Sequence, residues 1–181
     1  MKSDIKNSIN SLLPLLERSI IESVNSVVKE KDPYGYALLI GEDLDQANIV
    51  LVTNSEKALE KCSEDEANDY RYIPDSWDDW HYEYFNEFNK NLNEIYSNFE
   101  STHEITDEEC YYTSDGLEYM DILYSLYLQA MVNIKKEGKF KSIWYRIIWI
   151  SDCDRSIIKK SFFKLNEGKV LTEAEYLFQD E

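Results

Sequence analysis

The chain has 181 residues, of which 36 are acidic and 19 are lysine or arginine, so its formal net charge is −17. Such a surplus repels phosphate, which argues against direct nucleic-acid binding unless the fold gathers a basic face. Apolar residues make up 43% of the chain, too many for a disordered protein. No apolar run approaches the roughly 20 residues that span a bilayer, and the start lacks a signal-peptide pattern. We therefore expect one cytoplasmic domain over residues 1–181, with no membrane segment.

The negative charge is concentrated in the middle of the chain. Residues 42–121 contain 23 acidic and four basic residues, a net charge of −19, whereas residues 122–181 have a net charge of +2. A surface built from this middle segment has a negative potential that speeds encounter with a basic partner. The same charges can also serve only to keep the protein in solution, and the sequence leaves both interpretations open.

The first third of the chain predicts helices followed by a hairpin. Apolar residues recur at helical spacing over residues 3–29, and Pro14 either kinks this helix or divides it in two. Two β-branched and aromatic runs, 34–40 and 48–53, are joined by a polar stretch and predict a hairpin. A short helix over residues 56–61 follows.

The next segment predicts an acidic loop over residues 63–70 and then a helix over residues 78–99. Aromatic and aliphatic residues form one stripe of that helix, and we assign its first members to core packing. These are Trp77, Trp80, Phe85 and Phe88.

The opposite side of this predicted helix is acidic. Asp79, Glu83 and Glu87 stack at i, i+4 spacing, with Glu94 further along, and only Lys90 offsets them. Like charges at that spacing destabilise a helix by about 0.2 to 0.5 kcal/mol per pair, so a functional reason for the row is worth considering. Tyr82 lies off the apolar stripe beside these carboxylates, as a hot spot for a basic partner would. Glu108 and Glu109 follow in a turn or short strand.

The last third predicts a helix over residues 117–136, with Gly138 as its stop signal, and then a strand over residues 142–150. The strand is apolar on both sides of its alternation, which is typical of a central strand. Asp154 can cap a helix over residues 155–165. We therefore predict an α+β fold in which several helices pack on a small, mostly antiparallel sheet made of the N-terminal hairpin and a central late strand.

The sequence contains no specific catalytic or metal-binding pattern. Cys62, Cys110 and Cys153 are far apart and form no C-x-x-C pair, which fits reduced thiols. His81 and His103 are too isolated for a zinc site, so no metal or cofactor is expected. Paired carboxylates could act as acid and base, but in so acidic a chain such pairs arise by chance. We therefore expect no enzymatic activity.

Four short segments nevertheless resemble a known bacterial family, catalogued as domain of unknown function 4303. They are Tyr34-Gly35-Tyr36-Ala37-Leu38, Val52-Thr53-Asn54-Ser55-Glu56, Tyr70-Arg71-Tyr72-Ile73-Pro74-Asp75-Ser76-Trp77 and Gly138-Lys139-Phe140 ahead of the late strand that leads to Ile150-Ser151-Asp152. The family has no assigned activity or catalytic residues. The resemblance implies a small cytoplasmic protein similar to those encoded beside polymorphic or contact-dependent toxins, where such acidic single-domain proteins look like immunity proteins.

The charge distribution and this resemblance lead to one hypothesis, in which the protein binds and neutralises a cognate toxin with a basic surface. Its expected contact residues are Asp79, Tyr82, Glu83, Glu87, Glu94, Glu108 and Glu109. Two alternatives stay open: an inhibitor that mimics DNA and binds DNA-binding proteins, and a carboxylate-based enzyme with a concave site. The sequence makes no prediction of oligomeric state.

Overall fold

The computed structural model describes residues 2–41, 48–150 and 156–178. Within these residues the fold is α+β, as the sequence predicts, and the helices pack on a sheet of four strands that is mixed because β1 and β4 run parallel. The helices are α1 (Lys2–Asn10), α2 (Leu13–Lys31), α3 (Glu56–Leu59), α4 (Glu64–Tyr72), α5 (Asn86–Glu100), α6 (Ser114–Lys136), α7 (Ser156–Leu165) and α8 (Lys169–Glu173). The strands are β1 (Gly35–Ile40), β2 (Ile49–Asn54), β3 (Asp79–His81) and β4 (Tyr145–Ile150). Short 3-10 turns lie at Pro74–Ser76, Glu83–Phe85 and Glu175–Phe178.

The N-terminal helical pattern is divided in two at Pro14. This proline lies in the first turn of α2, where the missing N–H has no helical partner to lose. α2 ends at Asp32, whose φ of 44° is left-handed. Both helices pack against α6, and α2 buries Leu16, Ile20 and Val24.

The predicted hairpin is confirmed. β1 and β2 are antiparallel, with Gly35 opposite Asn54 and Ile40 opposite Ile49. The turn predicted between them lies largely outside the described residues. β4 runs parallel to β1, and β3 pairs antiparallel with the other side of β2, which gives the order β3-β2-β1-β4.

The late strand is buried, as predicted, but it lies at the edge of the sheet and not at its centre. One side chain of α7 and one just after it replace the missing neighbour strand. Asn166 accepts from the N–H of Arg146 (2.8 Å) and donates to its carbonyl (2.7 Å), while Ser161 accepts from the N–H of Ile148 (3.0 Å). Because this edge is covered, its composition resembles that of a central strand.

The acidic loop predicted over residues 63–70 is wrong, because the segment forms α4. Ser63 and Glu66 make a capping box, in which the side chain of each residue accepts a hydrogen bond from the backbone N–H of the other. Such reciprocal bonds satisfy the exposed N–H groups that begin a helix. Local capping therefore outweighs the polar composition of the segment.

The helix predicted over residues 78–99 begins only at Asn86. The residues before it form β3, which pairs with β2 through Val52 opposite Trp80 and Thr53 opposite Asp79. Hydrogen bonds offered by the edge of β2 outweigh the helical periodicity of this segment. In consequence Trp80 is exposed and not packed in the core as predicted.

The rest of the predicted stripe is confirmed. Trp77, Phe85, Phe88 and Leu92 are all buried in the single core cluster that the described residues form. Trp77 donates its indole N–H to the carbonyl of Tyr70 (2.8 Å), so its polar atom is satisfied inside the core.

The two late helices follow their sequence signals. Thr113 caps α6 by accepting from the N–H of Gly116 (3.2 Å). Gly138 ends the helix region with a left-handed φ of 69°, and the N–H of Lys139 bonds to the carbonyl of Ile134 (3.3 Å). α7 confirms the last long helix, whereas its predicted cap, Asp154, lies outside the described residues.

Candidate partner-binding surface

Asp79 joins three elements and is not a free surface charge. Its carboxylate accepts from Lys31 Nζ (2.6 Å) of α2 and from Thr53 Oγ1 (2.6 Å) of β2, and His81 Nε2 lies 3.4 Å away. Burial raises the pKa of this carboxyl, but the hydrogen bonds from Lys31 and Thr53 outweigh it and leave the pKa below its ordinary value. The first of the predicted contact residues is therefore part of the internal framework.

Glu87 is also paired by a cation that the local sequence does not reveal. Arg18 of α2 donates to its carboxylate at 2.8 Å, with both side chains largely exposed. The prediction that only Lys90 offsets the acidic row is therefore wrong. α2 supplies Arg18 to Glu87 and Lys31 to Asp79, and the β3–α5 boundary breaks the row itself.

Tyr82 is exposed, as predicted, and it does not stand alone. Its side chain is 58% exposed and stacks on Trp80, which is 38% exposed, with ring centroids 5.8 Å apart and planes 15° from parallel. Trp80 Nε1 donates to the carbonyl of Trp77 (2.6 Å), which fixes the orientation of the pair. Glu83 is exposed in the turn that follows. This arrangement places two aromatic faces and a carboxylate next to solvent.

Tyr82 and Glu94 line the same cleft, about 880 Å³ in volume, which runs along the outer side of α5. The other lining residues are mostly amides: Asn48, Asn86, Asn89, Lys90, Asn93, Ser97 and Asn98. Asn89 hydrogen-bonds both the N–H and the carbonyl of Ile49 (3.0 Å each), beyond the point where β3 ends. The cleft therefore adjoins the open edge of the sheet.

Glu108 and Glu109 lie elsewhere. They occupy a turn held by Asp107, whose carboxylate accepts from the N–H groups of Glu109 and Tyr111 (2.9 Å each). This turn follows the C-terminal end of α5, whereas Tyr82 precedes its N-terminal end, and a helix of 15 residues is about 22 Å long. The structure brings Tyr82, Glu83, Glu87 and Glu94 to one region and does not place the 108–109 pair with them.

The turn that carries Glu108 is anchored to the start of α6 by a glycine. A Cβ on Gly116 would lie 2.3 Å from the carbonyl oxygen of Ile105, so only glycine fits there. The hydroxyl of Thr113 also donates to the backbone carbonyls of Glu104 and Ile105. These contacts fix the acidic turn in position, beyond the end of α5 that is opposite to Tyr82.

An aromatic cluster that the sequence did not predict lies where the segments that carry the family resemblance meet. Tyr34 and Trp144 stack with centroids 4.8 Å apart, and the guanidinium of Arg71 lies 5.3 Å from the Tyr34 ring and 6.0 Å from the Trp144 ring. Arg71 also binds Glu56 through two hydrogen bonds, of 2.6 and 3.0 Å. No local periodicity indicates this cluster, but the segments that carry the family resemblance could have indicated it.

The backbone of the 70–77 segment is the hub of that cluster. Tyr34 donates its hydroxyl to the carbonyl of Arg71 (2.9 Å), and Tyr145 donates to that of Tyr72 (2.7 Å). A cleft of about 750 Å³ opens beside it, but its cations are already paired, Arg71 with Glu56 and Lys169 with Glu173. The cluster therefore ties the hairpin, α4 and β4 together, and its polar groups are engaged within the fold.

No group of three or more histidine, cysteine, aspartate or glutamate side chains in the residues that the structure describes could hold a metal ion. Cys62 and Cys110 are free thiols, and Cys153 lies outside the described ranges. No helix in those parts of the chain is both long and apolar enough to cross a bilayer.

Comparisons with known proteins give one match. No curated protein and no solved structure matches the chain. The family model described as Domain of unknown function (DUF4303) matches residues 16–166, which include the hairpin, the aromatic cluster and the Trp80–Tyr82 pair. The chain therefore belongs to the DUF4303 family.

Proposed function

We propose that this protein is an acidic, cytoplasmic, immunity-type protein that binds a cognate bacterial toxin and neutralises it by stoichiometric occlusion, without catalysis or a cofactor. The observation that carries the proposal is the exposed Trp80–Tyr82 pair beside Glu83 and the cleft lined by Glu94. Exposed aromatic rings next to carboxylates suit a binding site for a protein with a basic surface.

Long-range attraction would bring the two proteins together. The net charge of −17 gives the protein a negative potential, and a 44-residue stretch, 91–134, contains nine acidic residues and no lysine or arginine. A basic toxin is steered by such a field, and its association rate falls as salt screens the charges. Glu108 and Glu109, which lie in this stretch, would act through the field and not through the contact itself.

Short-range contacts would then fix the complex. The faces of Trp80 and Tyr82 can accept an arginine or lysine side chain, an interaction worth about 0.5 to 2 kcal/mol, depending on how much water is removed. Glu83 and Glu94 make no ion pair within the described ranges, so both can pair with the same partner. Asp79 and Glu87 are already held by α2 and contribute less.

Neutralisation would follow from occupying the functional surface of the toxin. If the toxin is a basic nuclease, carboxylates at the contact lie where its substrate's phosphates would bind. The mechanism needs one bound inhibitor for each toxin and no chemical step. A partner of this kind acts in the cytosol, which is the compartment proposed for this protein.

The test is titration calorimetry of the purified protein against the C-terminal toxin domain of the large secreted protein encoded next to its gene. The proposal predicts nanomolar 1:1 binding that weakens as salt rises from about 50 to 300 mM. The absence of binding by a folded sample at both salt concentrations would contradict it.

A variant pair localises the contact. Tyr82→Ala should weaken binding about 10- to 100-fold, as loss of a central aromatic contact does. Tyr176→Ala removes another exposed tyrosine, which hydrogen-bonds α4 near Asp69, and should leave the affinity unchanged. Equal losses in the two variants would remove the Trp80–Tyr82 surface from the proposal.

The same titration distinguishes an immunity-type protein from the alternative, an inhibitor that mimics DNA. An inhibitor that mimics DNA would bind unrelated DNA-binding proteins as well as the toxin domain, whereas an immunity-type protein binds its cognate partner alone. Two unrelated basic DNA-binding proteins are therefore included, and comparable affinity for them would replace the immunity proposal with the DNA-mimic one.

A further inference from the structure

The outward face of α6 changes charge along its length. In its first half Asp121 is exposed, and at its end Lys136 is exposed, both on the side of the helix that faces away from the core. Between them the same face presents Ser125 and Val132, which carry no charge. Because successive positions are four or seven residues apart, they form one continuous stripe.

The basic end of this stripe borders a groove between α6 and α7, about 470 Å³ in volume. Its lining residues are Ser125, Leu128, Gln129, Val132, Lys136, Lys160 and Lys164. Leu128, only 5% exposed, and Val132 form an apolar floor, and three lysines form the rim. None of these lysines makes an ion pair with any residue that the structure describes.

This groove is a basic face on a chain whose total charge is strongly negative. Lysines left without a counter-ion around an apolar floor suit a ligand that is acidic at one end and small or apolar in the middle. The first half of α6 has that chemistry, with Asp121 followed one turn later by Ser125. The molecule therefore carries both halves of one complementary contact on a single helix.

We propose that this face binds a second copy of the chain, with the two α6 helices antiparallel about a twofold axis. A twofold interface must be self-complementary, since each patch meets its own copy. A helix whose charge reverses along its length meets this condition only when its partner runs in the opposite direction. The acidic first half of each helix, with Asp121, then lies over the lysine-rimmed groove of the other.

The register follows from the symmetry. When Asp121 lies opposite the second copy's Lys136, Ser125 lies opposite Val132 and the twofold axis passes between Leu128 and Gln129. The small side chain of Ser125 allows the helices to approach closely. Each dimer therefore contains two equivalent Asp121–Lys136 pairs, with Lys160 and Lys164 nearby on α7.

Repulsion between two chains of charge −17 makes the dimer weak and dependent on salt. At an ionic strength of about 0.15 M the screening length is about 8 Å, so distant charges are screened while ion pairs in contact persist. The stripe from Asp121 to Lys136 on α6 is about 22 Å long, which gives an interface of a few hundred Å² per copy before α7 is counted. We expect micromolar affinity, typical of a small interface.

Sedimentation velocity over a 100-fold concentration range, at about 0.15 M ionic strength, tests the proposal. The wild-type mass should rise from 21.4 kDa toward twice that value as concentration increases. Asp121→Lys and Lys136→Glu should each weaken association at least tenfold, because each places like charges opposite one another. The double variant, Asp121→Lys with Lys136→Glu, restores both pairs with reversed sign and should dimerise again.

A matched control makes the result specific. Lys90→Glu reverses an exposed lysine on α5, outside the stripe, and should leave the mass distribution unchanged. A wild type that stays monomeric throughout, or a double variant that stays monomeric although circular dichroism shows it folded, would overturn the proposal. Because no residue of this face belongs to the Trp80–Tyr82 surface, the outcome is independent of toxin binding.

Discussion

Within the described residues, the sheet ends in two edges that use the same amide contact in different surroundings. At the β4 edge, Asn166 is 3% exposed and bonds both backbone groups of Arg146. On the β3 side of the sheet, Asn89 bonds both backbone groups of Ile49 in β2, beyond the end of β3, but lies on the wall of an open cleft. One edge is sealed inside the core, and the other borders solvent.

This difference between the two edges distinguishes a surface that is part of the core from one that is open to a partner. A sheet edge with unsatisfied N–H and carbonyl groups invites association, and proteins cover it or keep it very short. The β4 edge is covered by α7, and the backbone groups of Arg146 and Ile148 on that edge are already bonded to Asn166 and Ser161. The β3 edge is short, and it presents Trp80, Tyr82 and Glu83 instead. The open edge is therefore the better candidate for a binding surface.

The largest expected effect comes from removing the buried amide. Asn166→Ala leaves the N–H and the carbonyl of Arg146 without partners in the core, and we expect a loss of about 2 to 4 kcal/mol in the free energy of unfolding. Urea denaturation measures this loss. A change below about 1 kcal/mol would show that the β4 edge is not sealed in this way.

The equivalent change at the open edge should be smaller. Asn89→Ala exposes the backbone of Ile49 to a cleft that water can enter, so we expect a loss of about 1 kcal/mol by the same measurement. Asn98→Ala, on the same cleft wall of α5, is the matched control and should change stability by less than about 0.5 kcal/mol. Equal losses for Asn89→Ala and Asn166→Ala would remove the distinction between the edges.

Acid should weaken the open edge through Asp79. Its pKa in the folded protein lies below the ordinary value of 3.8, so its contribution is complete above about pH 5 and is lost as pH falls through the lowered pKa. Asp79→Asn keeps nearly the same side-chain shape but removes the negative charge. It should cost about 0.5 kcal/mol at pH 7. The difference from wild type should shrink below pH 4, and a constant difference would contradict this assignment.

The smallest expected effect on stability comes from the exposed ring. Tyr82→Ala removes a side chain that is 58% exposed and makes no hydrogen bond described within the fold, so thermal unfolding should shift by no more than about 2 °C. A large shift would mean that the Trp80–Tyr82 pair is a packing element, and the same variant would then no longer report on partner binding alone.

Much of the fold could be predicted because local signals agree with tertiary structure. The hairpin, α6 and α7 follow periodicity and turn chemistry, and Gly138 ends its helix as glycine does at a left-handed position. The errors have specific causes. Ser63 and Glu66 carry a capping box in a segment interpreted as a loop, and the residues of β3 follow a helical period but pair with β2.

The candidate site was less predictable because long-range pairs decide it. Tyr82 could be identified from its position off the apolar stripe, and its exposure is confirmed. Arg18 and Lys31 come from a helix 69 and 48 residues earlier in the chain than their acidic partners, so no local pattern indicates that Glu87 and Asp79 are held. The stacking of Trp80 on Tyr82 likewise depends on a strand that periodicity concealed.

Hydrogen–deuterium exchange of the complex with the toxin domain compares the two edges directly. The account predicts added protection on binding in residues 79–98, which include β3 and the cleft side of α5, and no change in residues 145–150 and 156–166. Protection that appears over α7 or over residues 104–121, with residues 79–98 unchanged, would contradict the assignment of the open edge as the partner-binding surface.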